Sequence, residues 1–316
     1  MTDLKYLIME NVIFPPTVLP DGSLAHVTPY HFCTKGEESK ILFRDSEDFR
    51  VAHNFIPICA HRANVAVVAD CVLGSHVHCG ILARNYADAV KFSNSYKIST
   101  SMYLVSKYGS EHGCSFREIE SKPLPVDSFR YFRNMVCYIL KNALDMGEAV
   151  DAYCWSSFRS LFRNGRIPVT TTAVKNLKYR EARACLKSRI AFDKVTWLLN
   201  SSGVIEPASY CDWKYVERLF RNDQSFFLKC LGMTDNAQMD QLLVINPTAF
   251  RSCEELLKEI EQRSHQRYGK PVLDLTVAQK IPLLKSVFFS FRTSKSQLAR
   301  CFGLKKEEVA RILGSI

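Results

Sequence analysis

The sequence predicts an α+β domain at the N-terminus, with helices packed on an antiparallel sheet, followed by an all-α region that ends in a helix-turn-helix. Three observations carry this prediction. Residues 64–73 are apolar and β-branched, and Gly74-Ser75 leads into a second strand-like stretch, which is the pattern of a hairpin. Residues 45–60 and 87–108 repeat apolar side chains at helical spacing on either side of that hairpin. Near the C-terminus, Gly303 separates two short amphipathic stretches.

The first elements follow in order from the N-terminus. Residues 1–25 contain three prolines and an Asp-Gly pair, so we expect a turn-rich lead-in, and residues 26–32 then form a first strand. The helix over 45–60 takes Ser46 as its N-terminal cap and has acidic residues in its first turn. Together these elements predict a strand and a helix ahead of the hairpin.

The hairpin pairs residues 64–73 with a strand over 76–82. The long helix over 87–108 ends at Gly109, because a residue without a side chain suits the left-handed end of a helix. Residues 110–126 read as a polar loop, and the next helix begins after Asp127 or Ser128 and runs to about residue 144.

After residue 157 we expect a mostly helical chain, with its clearest segments over 180–199, 213–231 and 253–268. The chain therefore divides into three predicted domains. They are the α+β domain over 1–157, a helical region of unassigned role over 158–275, and the helix-turn-helix over 276–316.

The C-terminal helix-turn-helix is predicted by two apolar stripes around a glycine. Leu298 and Phe302 form the first stripe, Gly303 ends the first helix, and a second stripe follows at residues 309–313, while residues 282–291 supply a supporting helix. In such motifs the second helix enters the major groove of DNA. The predicted DNA-contacting residues are Lys305, Lys306, Glu307 and Arg311. The alternative is a helical hairpin that only packs.

Composition limits the classes of function. The chain of 316 residues carries a formal net charge of +10 and a pI of about 9.0, which is typical of proteins that bind a polyanion such as nucleic acid. The twelve cysteines are scattered singly and contain no C-x-x-C pair, so we expect reduced thiols. The sequence lacks a signal-peptide pattern and an apolar run of about 20 residues, which predicts a cytoplasmic protein that does not enter a membrane.

Two histidines and a tyrosine form the candidate catalytic group. His76 and His78 lie two apart in a predicted strand, so both imidazoles point to one face. Tyr138 and Asn142 lie four apart in a predicted helix and share a face of it. Imidazole and amide oxygen together suit Mg²⁺ or Mn²⁺. The plain alternatives are a chance pair of histidines and a tyrosine buried in the core.

These residue types are suited to chemistry on a phosphodiester. A tyrosine hydroxyl has a pKa near 10 and is a weak nucleophile at neutral pH, so it needs a cation that polarises the phosphate. Attack by Tyr138 would leave a 5′-phosphotyrosine and a 3′-hydroxyl. Because the bond energy is kept in the covalent link, another end can reverse the step without ATP.

At these positions the chain resembles the REP-associated tyrosine transposases, a branch of the single-tyrosine HUH transposases (IS200-like), named for a His–hydrophobic–His motif. The resemblance runs from about residue 26 to residue 155. It is carried by His26-Val27-Thr28, by residues 41–45 and 48–50, by Cys71 to His78, by residues 92–109 with Tyr103 and Tyr108-Gly109, by Tyr138-Ile139-Leu140-Lys141-Asn142, and by residues 151–157.

The resemblance implies a site, a fold and a substrate. It implies His76 and His78 as metal ligands, Asn142 as the third ligand and Tyr138 as the nucleophile. It also implies an HUH-type, ferredoxin-like antiparallel sheet, in a monomer or a homodimer. The implied substrate is single-stranded DNA that carries hairpins, in repetitive palindromic elements.

Three positions depart from the family's pattern and motivate a second reading. Ala143 replaces the proline that usually follows the asparagine, Ser75 replaces the asparagine before the histidines, and Gly113–Glu118 replaces an aromatic and basic stretch. The leading hypothesis is a transposase that nicks and joins DNA. The alternative is a domesticated DNA-binding protein or regulator that no longer cuts, and RNA is a further possible substrate. Tyr131, two turns before Tyr138 on the same helix face, is the reserve nucleophile.

Overall fold

A computed structural model describes residues 12–34, 41–110, 116, 121–163, 166–234, 253–290 and 295–314. The chain forms two compact units, residues 1–235 and residues 236–316. The first unit combines helices with antiparallel sheets, and the second is helical where it is described. No helix in the described ranges is both long and apolar enough to cross a membrane.

A four-stranded sheet is the centre of the first unit. Its strand order is β4–β5–β3–β6, and every neighbouring pair is antiparallel. A short ribbon, β1 (Thr17–Val18) and β2 (Leu24–Ala25), precedes the sheet. The strands of the sheet are β3 (Thr28–Cys33), β4 (Ala66–Val72), β5 (Val77–Ala83) and β6 (Leu124–Pro125). The sheet order matters for the site because it places β3 directly beside β5.

The predicted hairpin is present as β4 and β5. Both strands are buried along their whole length, which explains their nearly continuous apolar sequence. The strand β5 begins at Val77, one residue later than predicted, because the Leu73 amide bonds the His76 carbonyl at 2.8 Å and closes the turn there. His76 therefore belongs to the turn, and only His78 lies within the strand.

Helices cover both faces of the sheet. On one face lie α1 (Ser46–Ala63) and α2 (Tyr86–Tyr108), which share a core with the alternate strand residues Phe32, Cys79 and Ile81. On the other face lies α3 (Phe129–Lys141). It approaches the sheet so closely that a Cβ on Gly80 would come within 2.9 Å of Met135 Cε. A side chain at this position of β5 would have to displace the end of Met135, so the close packing favours glycine there.

The helix ends follow the usual capping rules, and one cap is a different residue from the one predicted from the sequence. The N-terminal cap of α1 is Asp45 and not Ser46, since the Asp45 carboxylate accepts a 2.9 Å bond from the Asp48 amide. Ser128 caps α3, and Gly109 ends α2 with a φ of 92°, as predicted. The α3 helix ends at Lys141, and a 3-10 turn over Asn142–Met146 follows it directly.

The buried carboxylate of Asp48 joins the start of α1 to the end of α2. It accepts hydrogen bonds from the hydroxyls of Tyr103 and Tyr108, each at 2.7 Å, and Lys107 Nζ lies 2.7 Å from it. Asp48 is 0% exposed, so these donors replace the water that it loses on folding.

The expectation of an all-α chain after residue 157 is wrong. Strands β7 (Thr171–Ala173) and β8 (Leu198–Asn200) pair antiparallel and flank α4 (Tyr179–Leu186). The predicted helix over 180–199 ends at Leu186 because Lys187 adopts a left-handed φ of 50°.

The predicted helix over 213–231 is also interrupted. It consists of α5 (Trp213–Leu219) and α6 (Gln224–Met233), because Arg221 and Asn222 between them have φ values of 60° and 53°. Left-handed residues cannot continue an α-helix, so the chain turns at this point.

The core of the first unit continues past residue 157. Val174, Leu186, Trp197 and Ile205 belong to the same buried cluster as the α1 face of the sheet. Later segments also cover the outer edge of β4. The Val72 amide bonds the Trp155 carbonyl at 2.9 Å, and the Asp212 amide bonds the Val67 carbonyl at 2.7 Å. The edge strand is therefore paired with irregular chain.

The second unit consists of four helices in its described part. These are α7 (Cys253–Tyr268), α8 (Val277–Ser290), α9 (Lys295–Phe302) and α10 (Lys306–Gly314). Leu256, Leu284, Phe302 and Val309 are among the buried residues of their common core. The helix predicted at 253–268 therefore packs with the last helices. The expected supporting helix at 282–291 begins earlier, at Val277, and residue 291 lies outside the described residues.

Candidate active site

His78 occupies the centre of the candidate site. It is 0% exposed and lies on the sheet face that α3 covers, because Val77 and Cys79 on either side point to the α1 face. His76 is half-buried, and its Nδ1 lies 2.9 Å from Ser75 Oγ. The two ring centroids are 4.9 Å apart at 79°. The predicted pair of imidazoles is thus close together, although one histidine comes from the turn.

Tyr138 lies against this pair from the opposite side. Its ring centroid is 5.1 Å from that of His78, at an interplanar angle of 85°. Tyr138 is 1% exposed, since the sheet covers one side of α3 and α6 packs on another. The sequence left open that this tyrosine is buried in the core, and the structure does bury Tyr138.

His31 is a member of the site that sequence reasoning missed. Its Nε2 lies 3.2 Å from His78 Nδ1, and its ring centroid is 5.8 Å from that of Tyr138. His31 is completely buried, and this burial lowers its pKa to about 3, so the ring is neutral at neutral pH. The only local sign of His31 in the sequence is its position between Tyr30 and Phe32 in the first predicted strand. Its pairing opposite Gly80 depends on the sheet.

A thiol completes the surroundings of His78. Cys33 Sγ lies 3.8 Å from His78 Nε2, and Cys33 stands opposite His78 in the β3–β5 register. Both ring nitrogens of His78 thus face side chains of the neighbouring strand. We call His31, His76, His78 and Tyr138 the histidine–tyrosine cluster.

Asn142, the expected third metal ligand, uses its amide nitrogen within the fold. It is 2% exposed, and its Nδ2 donates a 2.8 Å hydrogen bond to the Tyr138 carbonyl at the end of α3. The same carbonyl also accepts the backbone N–H of Asn142, so both donors of this residue converge on it. Asn142 therefore fixes the helix end that carries Tyr138.

The residues present do not enclose a metal ion by themselves. Among the described residues, no three His, Cys, Asp or Glu side chains are grouped so that they could hold one. A pair of imidazoles is too few for a closed protein site. Any ion held there would need water or substrate oxygens as its remaining ligands.

Tyr131, the reserve nucleophile, lies in a different environment. Its hydroxyl is buried and has no hydrogen-bond partner within the described ranges. Burial and the nearby Asp127 raise its pKa. Both effects oppose formation of the Tyr131 phenolate, the form in which a tyrosine attacks.

A second buried polar group lies on the α1 face of the sheet and was not predicted. The carboxylate of Asp70 accepts a 2.9 Å hydrogen bond from the Tyr210 hydroxyl and lies 3.2 Å from His53 Nε2 and 3.6 Å from Cys211 Sγ. Burial first, and then the charge of Asp70, raise the pKa values of Tyr210 and Cys211, so both stay neutral donors. We call these four residues the Asp70 cluster.

The four predicted DNA-contacting residues lie together at the C-terminus. Lys305, Lys306, Glu307 and Arg311 are all exposed. Gly303 has a φ of 61° between α9 and α10, and the Leu304 amide bonds the Ala299 carbonyl at 2.9 Å. The buried Val309 turns the exposed residues of α10 outward. Of the stretch Gly113–Glu118, only Phe116 lies within the described residues.

Comparison of the chain with protein-family models, with curated proteins and with solved structures finds no match. The function is therefore argued from the arrangement itself. It consists of a neutral, buried histidine behind two close imidazoles, with a tyrosine ring against them.

Proposed function

We propose that the protein nicks and rejoins single-stranded DNA, with Tyr138 as the nucleophile and a divalent cation at His76 and His78. The observation that carries the proposal is the contact between the Tyr138 ring and the His78 ring, at 5.1 Å between centroids. Residues 60 positions apart in sequence thus meet at one point (138 − 78 = 60). The net charge of +10 supports a polyanionic substrate.

The proposed step conserves bond energy. The Tyr138 oxygen forms a bond to phosphorus, and the bond between phosphorus and the 3′-oxygen breaks. The phenol proton passes to solvent, and the leaving oxygen takes a proton to become a 3′-hydroxyl. A bound Mg²⁺ or Mn²⁺ would polarise the phosphate. His31 holds His78 in place through the contact between their ring nitrogens at 3.2 Å. Attack of another 3′-hydroxyl on the phosphotyrosine reverses the step and joins strands, which is the chemistry of a transposase.

The last two helices fit a separate role in this proposal. We assign α9 and α10 to a helix-turn-helix, in which α10 enters the major groove and Lys305, Lys306, Glu307 and Arg311 contact DNA. The left-handed Gly303 and the exposure of these four residues support the assignment. The substrate would then combine a hairpin stem with a single strand, as in repetitive palindromic elements.

The test is covalent adduct formation with the full-length protein. End-labelled single-stranded DNA with a hairpin is incubated with Mg²⁺ or Mn²⁺ and separated on a denaturing gel. We expect a protein–DNA adduct that is lost in Tyr138→Phe, in His76→Ala and with chelator. Tyr131→Phe is the matched control and should keep the adduct. An adduct that survives Tyr138→Phe and disappears in Tyr131→Phe would transfer the role to Tyr131.

A second function is favoured by the burial of Tyr138. At 1% exposure the ring is closed to a phosphate unless neighbouring chain moves. A protein that binds DNA as a regulator and does not cut it needs no such opening. Tight binding of hairpin DNA that is unchanged by chelator and by His76→Ala, with no adduct on any hairpin, would favour this function.

A further inference from the structure

A cleft on the first unit, which the histidine–tyrosine cluster does not line, carries a further inference. It lies between the first turn of α1, residues 154–159 and the turn that follows β8, and has a volume of about 420 Å³. Trp155, Arg50, Arg159, Asn200 and Glu206 are among the residues that line it. We propose that this cleft binds an unpaired base of single-stranded DNA, which stacks on Trp155 and donates hydrogen bonds to Glu206. The choice of DNA rests on the proposed function.

Trp155 offers a rigid stacking surface. It is half-buried, and its ring is stacked on Phe49 at 5.7 Å between centroids and 30° between planes. Its carbonyl is fixed by the β4 edge through the 2.9 Å bond from Val72. An aromatic ring that is already ordered loses little freedom when a base stacks on it.

The charges of the cleft balance and argue against a free phosphate as its ligand. Its lining contains two arginines, Arg50 and Arg159, and two glutamates, Glu47 and Glu206, and Arg50 NH2 lies 3.6 Å from Glu47. Arg50 NH1 donates to the Cys185 carbonyl at 2.9 Å. A clamp for phosphate would present an excess of cations, whereas a neutral and polar planar group fits a balanced lining.

Arg159 is likewise held by the chain. Its Nε and NH2 donate to the carbonyls of Asp151 and Ala152, at 3.2 and 3.0 Å. Because Arg159 is exposed, its charge lies near the mouth of the cleft, where the backbone of a bound strand would pass.

Glu206 supplies an acceptor inside the recess. Asn200 Nδ2 donates a 2.8 Å bond to its Oε1 and so orients the carboxylate. Burial raises the pKa of Glu206, as expected for a carboxylate drawn away from water. Carboxylates recognise the N–H groups on base edges, and the Watson–Crick edge of a base is accessible only when that base is unpaired.

The experiment measures the affinity of the full-length protein for three labelled probes by fluorescence anisotropy, with chelator present. The probes are a short single strand, an abasic strand of the same length, and the corresponding duplex. We expect the wild type to prefer the ordinary strand over the abasic one. Trp155→Leu should weaken binding of the ordinary strand about tenfold and leave the abasic strand and the duplex unchanged.

Trp213→Leu is the matched control, because Trp213 is also half-buried but lies under Arg166 and outside the cleft. It should bind all three probes as the wild type does. Glu206→Gln keeps the shape of the side chain and decides the question if Trp155→Leu fails to fold. It should weaken only the ordinary strand, by several-fold.

Equal binding of ordinary and abasic strands by the wild type would overturn the inference, as would unchanged binding by Trp155→Leu. The two proposals fail separately. If no adduct ever forms but binding depends on Trp155, the cleft stands and the catalytic role of Tyr138 falls. If Trp155→Leu forms adducts and binds strands as the wild type does, the cleft falls and the nicking activity stands.

Discussion

The histidine–tyrosine cluster and the Asp70 cluster lie on opposite faces of one sheet. Of these two clusters, as far as the described residues go, only the Asp70 cluster contains a carboxylate. In that cluster Tyr210 and Cys211 donate to one charged acceptor, and His53 lies beside it. In the histidine–tyrosine cluster the neutral His31 contacts His78, and two further rings lie close. Convergence on a buried charge suits a structural role. In the proposed function the cation and the chemistry belong to the other cluster, whose rings surround no such charge within the described ranges.

The largest expected effect comes from removing the charge that distinguishes the two clusters. Asp70→Ala leaves the Tyr210 hydroxyl and His53 without their buried partner, so we expect the free energy of unfolding to fall by about 4 kcal/mol. Urea denaturation followed by circular dichroism measures it. Asp193→Ala, at an exposed position, is the control and should change stability little. A loss below about 1 kcal/mol in Asp70→Ala would contradict a structural role for this cluster.

A pH titration of stability tests the histidine–tyrosine cluster in the same way. Burial lowers the pKa of His31 from 6.5 to about 3, so between these values the unfolded chain binds a proton that the folded protein does not. Stability is therefore complete above pH 6.5 and falls as the pH decreases towards 3. Between pH 7 and pH 5 we expect His31 to account for a loss of about 2 kcal/mol.

The matched variant for this titration is His31→Phe, measured with chelator present. It keeps a ring in the buried space and removes the titrating nitrogen. Its stability should vary less between pH 7 and pH 5 than that of the wild type, by the same amount of about 2 kcal/mol. If both proteins lose equal stability, His31 is not the titrating group.

The smallest change in stability is expected from substitution of Tyr138, although its substitution has the largest proposed effect on activity. Tyr138→Phe keeps the ring contacts with His31 and His78 and removes one hydroxyl, so the free energy of unfolding should change by about 1 kcal/mol. Adduct formation should be lost altogether. Thermal unfolding of the same preparation measures the first quantity. A loss of several kcal/mol would assign the hydroxyl to the core and would weaken the case for a nucleophile.

The features that the sequence predicted well are those specified by neighbouring residues. The β4–β5 hairpin follows from two buried apolar runs and the Gly74-Ser75 turn, and the end of α2 follows from Gly109. The closeness of His76 and His78 is equally local. These elements need only the spacing of side chains and the backbone freedom of glycine.

The features that were missed depend on contacts between distant parts of the chain. His31 is 47 residues from His78, and only the β3–β5 register brings them together. The helix α3, which carries Tyr138, packs on α6, which follows it by about 90 residues. The strands β7 and β8 have only three residues each, so their pairing leaves almost no periodic signal.

The covered edge of β4 has a consequence for how the protein can be made. The cover comes partly from Cys211 and Asp212, more than 100 residues after the strand that it protects. During synthesis the sheet is therefore complete before its edge is sealed, and the nascent chain carries an open strand until residue 212 has emerged from the ribosome. A fragment cut at residue 157 would keep the cover from Trp155 but leave the edge open at Val67, and its copies should add to one another there and aggregate.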